Sequence, residues 1–286
     1  MKVIDTVVGL QTDETIAMRP TWARELFAGR FGADGAATEG QSLDAFVAEL
    51  DDAGVDHAIL FSPKAGPRHE PTSYRPDASV VRAAVERYPA RFSGIIGVDP
   101  THPMEAVGDI EHAVQEWGFV GVHAYPLWFD LPPDHRLWYP IYAKCVELDV
   151  PIEVQAGHCL VYTKQKPLRS VGRPGAFDQV ACDFPELKLI AIHTGWPWQE
   201  EMISVAWKHE NVYIATDAYA PKYWNPSLVR FIDSWGRGKV MYGTDYPVLT
   251  HRRTLDEIAE LKLRDESLQA LLSGTADRVF RLPDGP

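Results

Sequence analysis

The chain has 286 residues, 45% hydrophobic and 24% charged, which gives enough apolar matter for a packed core and is not the composition of a disordered chain. Lys and Arg number 28 against 40 Asp and Glu, a formal net charge of -12, and so acidic a surface excludes nucleic acid and anionic membrane as natural partners. The three cysteines, Cys145, Cys159 and Cys182, show no CxxC spacing and leave one over from any pairing, so neither a disulfide framework nor a zinc ribbon is expected.

In chain order, the first apolar run, Val3–Val8, has the length and composition of a buried strand. A long segment, Thr12–Gln41, follows and carries the glycine-rich stretch GRFGADGAATEG. Ser42–Ala53 then sets Leu43, Phe46, Val47 and Leu50 on one helical face, with Ser42 placed to cap it. Further strand-like runs are Ala58–Phe61, Ile95–Val98, Val120–Ala124, Ile152–Gln155, Leu187–Ile192, Val212–Ala215 and Val240–Tyr242. Between and after them lie helical patterns over Asp77–Tyr88, Pro103–Trp117, Leu137–Leu148, Pro174–Asp183, Pro197–Lys208, Pro226–Trp235 and Leu255–Lys262. Proline recurs at helix starts, where its missing N–H costs nothing. Eight strands alternating with helices predict the α/β class and a single-domain (β/α)8 TIM barrel over residues 1–286, with a long loop insertion at about 12–41. An open doubly wound sheet is the runner-up, weakened by the lack of Gly-x-Gly-x-x-Gly after any strand. No window approaches ~18 uninterrupted apolar residues, and the first residues lack a long apolar run, so neither a membrane span nor a signal peptide is expected and the cytoplasm is the expected location.

In such a barrel the carboxyl ends of the strands carry the chemistry. Reading each run to its end gives Asp99, His123, His158, His193, Asp217 and Asp245, three histidines and three aspartates on one rim. Taken singly, each fits a capping or hydrogen-bonded role. Together they have the composition of a divalent-metal or acid–base site. Aromatic residues follow the same strand ends, among them Tyr125, Trp128, Trp196 and Trp198. They suit an apolar pocket for a ring, and equally a homodimer interface. Ser62, Lys64, Arg68 and Arg252 are polar candidates near the rim; Arg252 is the one expected to meet an acidic substrate.

The segments AIHTGWPWQEEMISVAWKHENVYIATDAYAPKYW, KVMYGTDYP and GTADRVFRL resemble the amidohydrolase superfamily, in particular its amidohydrolase-related branch of non-oxidative decarboxylases and related lactonases. That resemblance implies a metal-centred barrel with a His-x-His pair at the end of the first strand. Here the matching stretch is IDTVVGL, so Val7 and Gly9 stand at the two ligand positions, while Asp5 precedes them. The resemblance also implies that His158 is a ligand, His193 a ligand or acid–base group, and Asp245 a ligand or general base. With two ligands missing, a divalent metal, zinc first, would rest on His158 and His193 with His123 or Asp99, or be dispensed with. The expected function is therefore hydrolysis of a small cyclic or aromatic ester, lactone or amide. Asp245 would be the general base, His193 the acid, and His123, Tyr125, Trp128, Trp196, Trp198, Asp217 and Arg252 would surround the substrate. The alternatives are a metal-dependent non-oxidative decarboxylase of a small aromatic or unsaturated acid, and a non-catalytic barrel that binds a small molecule.

Overall fold

The computed structural model of the chain describes residues 1–29, 36–159, 161 and 167–282. Eight strands follow one another around a single sheet: β1 Ile4–Gly9, β2 His57–Ser62, β3 Phe92–Gly97, β4 Gly121–Ala124, β5 Ile152–Gln155, β6 Leu189–Ile192, β7 Val212–Ala215 and β8 Val240–Met241. Each strand pairs in parallel with the next. The two edges also meet: the Thr6 N–H donates to the Tyr242 carbonyl at 3.1 Å, and the Gly9 N–H to the Tyr246 carbonyl at 2.9 Å. The sheet thus closes into the (β/α)8 barrel expected from the alternation of elements.

The strands read as unbroken apolar runs because both of their faces are covered. One cluster fills the barrel interior, built from Ile4, Val7, Ile59, Phe61, Ile95, Ile190, Ile192 and Met241. A second lies between the strands and the helices, where Leu60, Ile96, Val122 and Val154 meet Phe46, Ile110 and Phe177. A bulge in β1 shifts its register between Asp5 and Val8. The extra residue lets Ile4 and Val7 both face inward although an odd spacing separates them.

The helices Pro103–Trp117 and Pro174–Asp183 have the expected bounds. Leu43–Ala53 begins where the Ser42 hydroxyl accepts the Ala45 N–H at 3.1 Å, and ends at Gly54, whose left-handed φ of 81° suits a residue without a side chain. The largest differences from expectation are two. The Thr12–Gln41 segment is not a plain loop: it holds helices over Asp13–Ala17, Thr21–Gly29 and Ala36–Glu39. Pro20 and the glycines divide it into pieces too short for a clear period. The chain also runs helical from Asp265 to Phe280, and Ala276, Val279 and Phe280 of that stretch join the interior cluster. The segment Gly157–Arg173 lies in part outside the described residues. Among the described residues no helix is long and apolar enough to cross a membrane.

Candidate active site

Strands β6, β7 and β8 bring three side chains together where they end. His193 Nε2 lies 3.2 Å from Asp217 Oδ2 and 3.6 Å from Asp245 Oδ2. The backbone helps to set this geometry: the His193 N–H donates to Asp217 Oδ1 at 2.8 Å. His193, Thr194, Ala218 and Asp245 all adopt left-handed φ, between 54° and 68°. Four non-glycine residues in that sparse region at one site are held there by their surroundings.

For Asp245 the hold comes from β1. Asp5, wholly buried, accepts the Val7 and Thr244 N–H groups at 3.1 Å each and the Thr244 hydroxyl at 2.5 Å. The same hydroxyl oxygen accepts the Tyr246 N–H at 3.0 Å. Asp5 therefore fixes the residues on both sides of Asp245.

Burial dominates the electrostatics. It pushes the Asp217 carboxyl well above the ordinary carboxylate range, with the Asp245 charge adding to the effect. It raises Asp245 in the same way, with Asp5 adding. The His193 imidazole is pushed down to about 4 by loss of solvent. As drawn, Gln155 Nε2 donates to His193 Nδ1 at 3.2 Å, which puts the ring proton on Nε2. Turning the amide over would let Nδ1–H donate to Gln155 Oε1, a buried atom with no hydrogen-bond partner, and free the Nε2 lone pair.

These features test whether the residues fit a metal ion. One nitrogen and two carboxylate oxygens, from His193, Asp217 and Asp245, lie within 4.8 Å of one another. Asp217 Oδ2 is buried without a hydrogen-bond partner. Three protein donors, two of them anionic, fit one divalent cation with room for further ligands. The β1 positions contribute nothing to it. A Cβ placed on Gly9 would lie 2.9 Å from the Tyr246 carbonyl oxygen, 3.0 Å from Gln11 Nε2 and 3.2 Å from the Phe61 ring. The space for a ligand side chain is filled.

The cluster opens into a cavity of about 170 Å³, reached by His193 and Asp245. Trp22, Phe61, Tyr125, Trp128 and Tyr219 form much of its wall. Of the aromatic residues named from the sequence, Tyr125 and Trp128 are among those in this wall. His158 also reaches the wall, but its exposed ring stands against Trp198 at 4.8 Å between centroids, outside the His193, Asp217 and Asp245 group. Trp196 and Trp198 do not line the cavity. They pack around His158, and Arg173 covers Trp198.

Four further candidates lie outside the cavity lining. His123 is fully buried and bonded to Glu153 Oε2 at 2.8 Å, with the Phe61 ring stacked on it, so it reaches neither cluster nor cavity. Asp99 is held by Arg75 at 2.6 Å and by Thr101; burial alone would raise its carboxyl, but these partners outweigh it and hold it low. Arg252 points outward and pairs with Asp52 at 3.0 Å. Asp217 lies behind the cavity wall, placed to back His193 or hold a cation instead of touching substrate. Lys64 and Arg68 are likewise engaged elsewhere, with Asp109 and Glu105.

The sequence reasoning missed Arg19 and Gln11, both buried and both in the cavity wall. It also missed Glu153, whose signal was a charge inside an otherwise apolar strand.

The family profile described as amidohydrolase matches residues 25–282. The chain belongs to this family. Proteins similar in sequence include a 2-keto-4-carboxy-3-hexenedioate hydratase from a Sphingobium species, 30% identical over 137 residues. That match spans 41% of this chain and only 39% of the hydratase. A gamma-resorcylate decarboxylase from a Polaromonas species is 24% identical over 250 residues, 69% of this chain and 73% of the relative. Among solved structures, an uncharacterized TIM-barrel protein from Bordetella bronchiseptica superposes with a TM-score of 0.80 at 22% identity, covering 99% of both chains. A dihydroxybenzoic acid decarboxylase from a Polaromonas species, solved with manganese and 2-nitroresorcinol bound, gives a TM-score of 0.72 at 16% identity over 98% of this chain and 97% of that one. The structural likenesses establish the shared barrel.

Proposed function

We propose that this amidohydrolase-family enzyme is a lyase that removes carbon dioxide, without oxidation, from a small aromatic or unsaturated carboxylic acid. The observation that carries the proposal is the pairing of the His193–Asp217–Asp245 cluster with an aromatic-walled cavity of about 170 Å³. An apolar cavity of roughly 150 Å³ holds one benzene ring, so the space suits a single-ring acid. The relatives named above carry decarboxylase and hydratase names, which puts lyase chemistry ahead of the hydrolysis that the sequence suggested. The manganese in the Polaromonas neighbour adds to the case for a divalent cation, with His193, Asp217 and Asp245 as its holders here.

When bound, such a cation would draw electron density from the substrate's carboxylate and an adjoining oxygen. The rest falls to side chains. The aromatic wall excludes water and stacks the ring. Asp245 reaches the cavity while Asp217 does not, so Asp245 is the acid that faces the substrate. In its protonated state this carboxyl gives its proton to the carbon bearing the carboxylate. The bond to that carboxylate then breaks, its electron pair returns to the ring or alkene, and carbon dioxide leaves. Asp245 recovers a proton from solvent.

The test is carbon dioxide release from a panel of hydroxybenzoic and unsaturated dicarboxylic acids, with manganese added. Asp245→Asn should lose at least about 100-fold in rate, the ordinary share of an acid–base group, with an unchanged unfolding midpoint. Asp245-dependent hydrolysis of an ester or lactone, with no acid in the panel losing carbon dioxide, would overturn the proposal. A second reading, addition of water to an unsaturated acid, is favoured by the identity to the hydratase and would appear as loss of alkene absorbance without gas release.

A further inference from the structure

We infer that Arg19 and Gln11 form an acid-recognising patch in the cavity wall, and that the substrate carries a second anionic group which it keeps through the reaction. The inference rests on the reading of the site as one that acts on a small acid. Both residues come from the segment after β1. Both line the same cavity as His193 and Asp245, and both are almost wholly buried. Gln11 Nε2 donates to the Gly9 carbonyl at 2.8 Å, and Gln11 Oε1 accepts from the Arg19 guanidinium. The Phe27 ring lies 4.6 Å from Arg19 Cζ. The guanidinium is therefore oriented by the Gln11 amide, by the Phe27 ring and by a hydrogen bond with the Tyr74 side chain.

A guanidinium offers five N–H donors in a planar fork that matches a carboxylate, and it stays charged even in an apolar wall. Pairing with an anion is strengthened where water is excluded. A second carboxylate on a substrate held at the His193 and Asp245 end would be a buried charge in need of a partner of its own. The Arg19 side supplies the opposite sign. A group held by Arg19 is stabilised as an anion, and so is the wrong group to leave as carbon dioxide. Arg19 therefore suits the acid that stays.

The test measures binding and does not depend on turnover. Benzoate and the three benzenedicarboxylates are titrated calorimetrically into the protein at a fixed manganese concentration. At least one dicarboxylate should bind about 10- to 100-fold more tightly than benzoate, the range of a charge-assisted hydrogen-bonded pair. Arg19→Met should abolish that preference. Arg19→Lys, which keeps the charge and loses the fork, should fall between them and guards against a misfolded methionine variant. Equal affinity for all four acids in the unaltered protein, or a preference that survives in Arg19→Met, would overturn the inference. Intact dicarboxylate preference in a protein that releases carbon dioxide from no acid would remove the decarboxylase proposal and leave this one standing.

Discussion

Replacing Asp5 by alanine isolates the device that holds Asp245. The carboxylate accepts two backbone N–H groups at 3.1 Å, from Val7 and Thr244, and the Thr244 hydroxyl at 2.5 Å, all without solvent. The hydroxyl can turn to another acceptor, but the two N–H groups cannot. A buried donor left unmet costs about 1–3 kcal/mol, so the two together cost about 2–6 kcal/mol. Against this stands the removal of a charge that faces Asp217, Asp245 and Glu153. The expected net loss is about 3 kcal/mol for Asp5→Ala, between the hydrogen-bond cost and the relief of repulsion. Asp5→Asn keeps the volume and one acceptor oxygen and also removes the charge, so it should stay within about 1 kcal/mol of the parent. Urea unfolding of the three proteins gives both numbers from midpoints at a common slope. Equal stability of the alanine and asparagine variants would refute the argument, because it would mean that the N–H groups do not depend on Asp5.

Two further outcomes follow from burial and packing. His123 is pushed down to about 3 by burial, from an ordinary 6.5, so the folded chain keeps it neutral while the unfolded chain takes up a proton. Its contribution is complete above 6.5 and is lost as pH falls towards about 3. Relative to His123→Gln, the unaltered protein should therefore weaken by about 1.4 kcal/mol per pH unit below that point. The difference cancels the opposite slope of the buried carboxyls, and parallel stability profiles for the two proteins would contradict it. Gly9→Ala should cost about 1–3 kcal/mol, since Gln11 can swing aside but the Tyr246 carbonyl, 2.9 Å from the new Cβ, cannot; an unshifted thermal midpoint would show that the β1–β8 seam yields.

The barrel was legible because its strands are covered on both faces. β5 and β7 have the bounds that the apolar runs predict. β3 starts earlier than expected, since Phe92-Ser93-Gly94 does not look like a buried run. In the fold, Ser93 bonds His57 at 2.9 Å and the Phe119 ring packs over Gly94. Strand-end position marked His193, Asp217 and Asp245 together with Asp99, His123 and His158, and only the first three come within reach of one another in the fold. The cavity wall could not be marked in that way. Arg19 and Gln11 reach it only once the segment after β1 folds back over the mouth, a tertiary event with no local period. Arg252 misled for the opposite reason: the last long helix begins at His251, earlier than the periodicity indicated, and that turn carries the arginine outward.

The packing at Gly9 also bears on how this site can change over generations. A histidine at that position meets a backbone carbonyl, an amide and a ring at once. No single codon change restores the first-strand ligand pair, since Val7 would have to change as well while Gln11 and the Tyr246 turn make way. Each intermediate would carry the cost of overpacking before any ligand is gained. Divergence from this sequence is therefore channelled along the open route, through the helices over the mouth that shape the Arg19 side. New specificities are far more accessible from this sequence than ligand side chains at Val7 and Gly9.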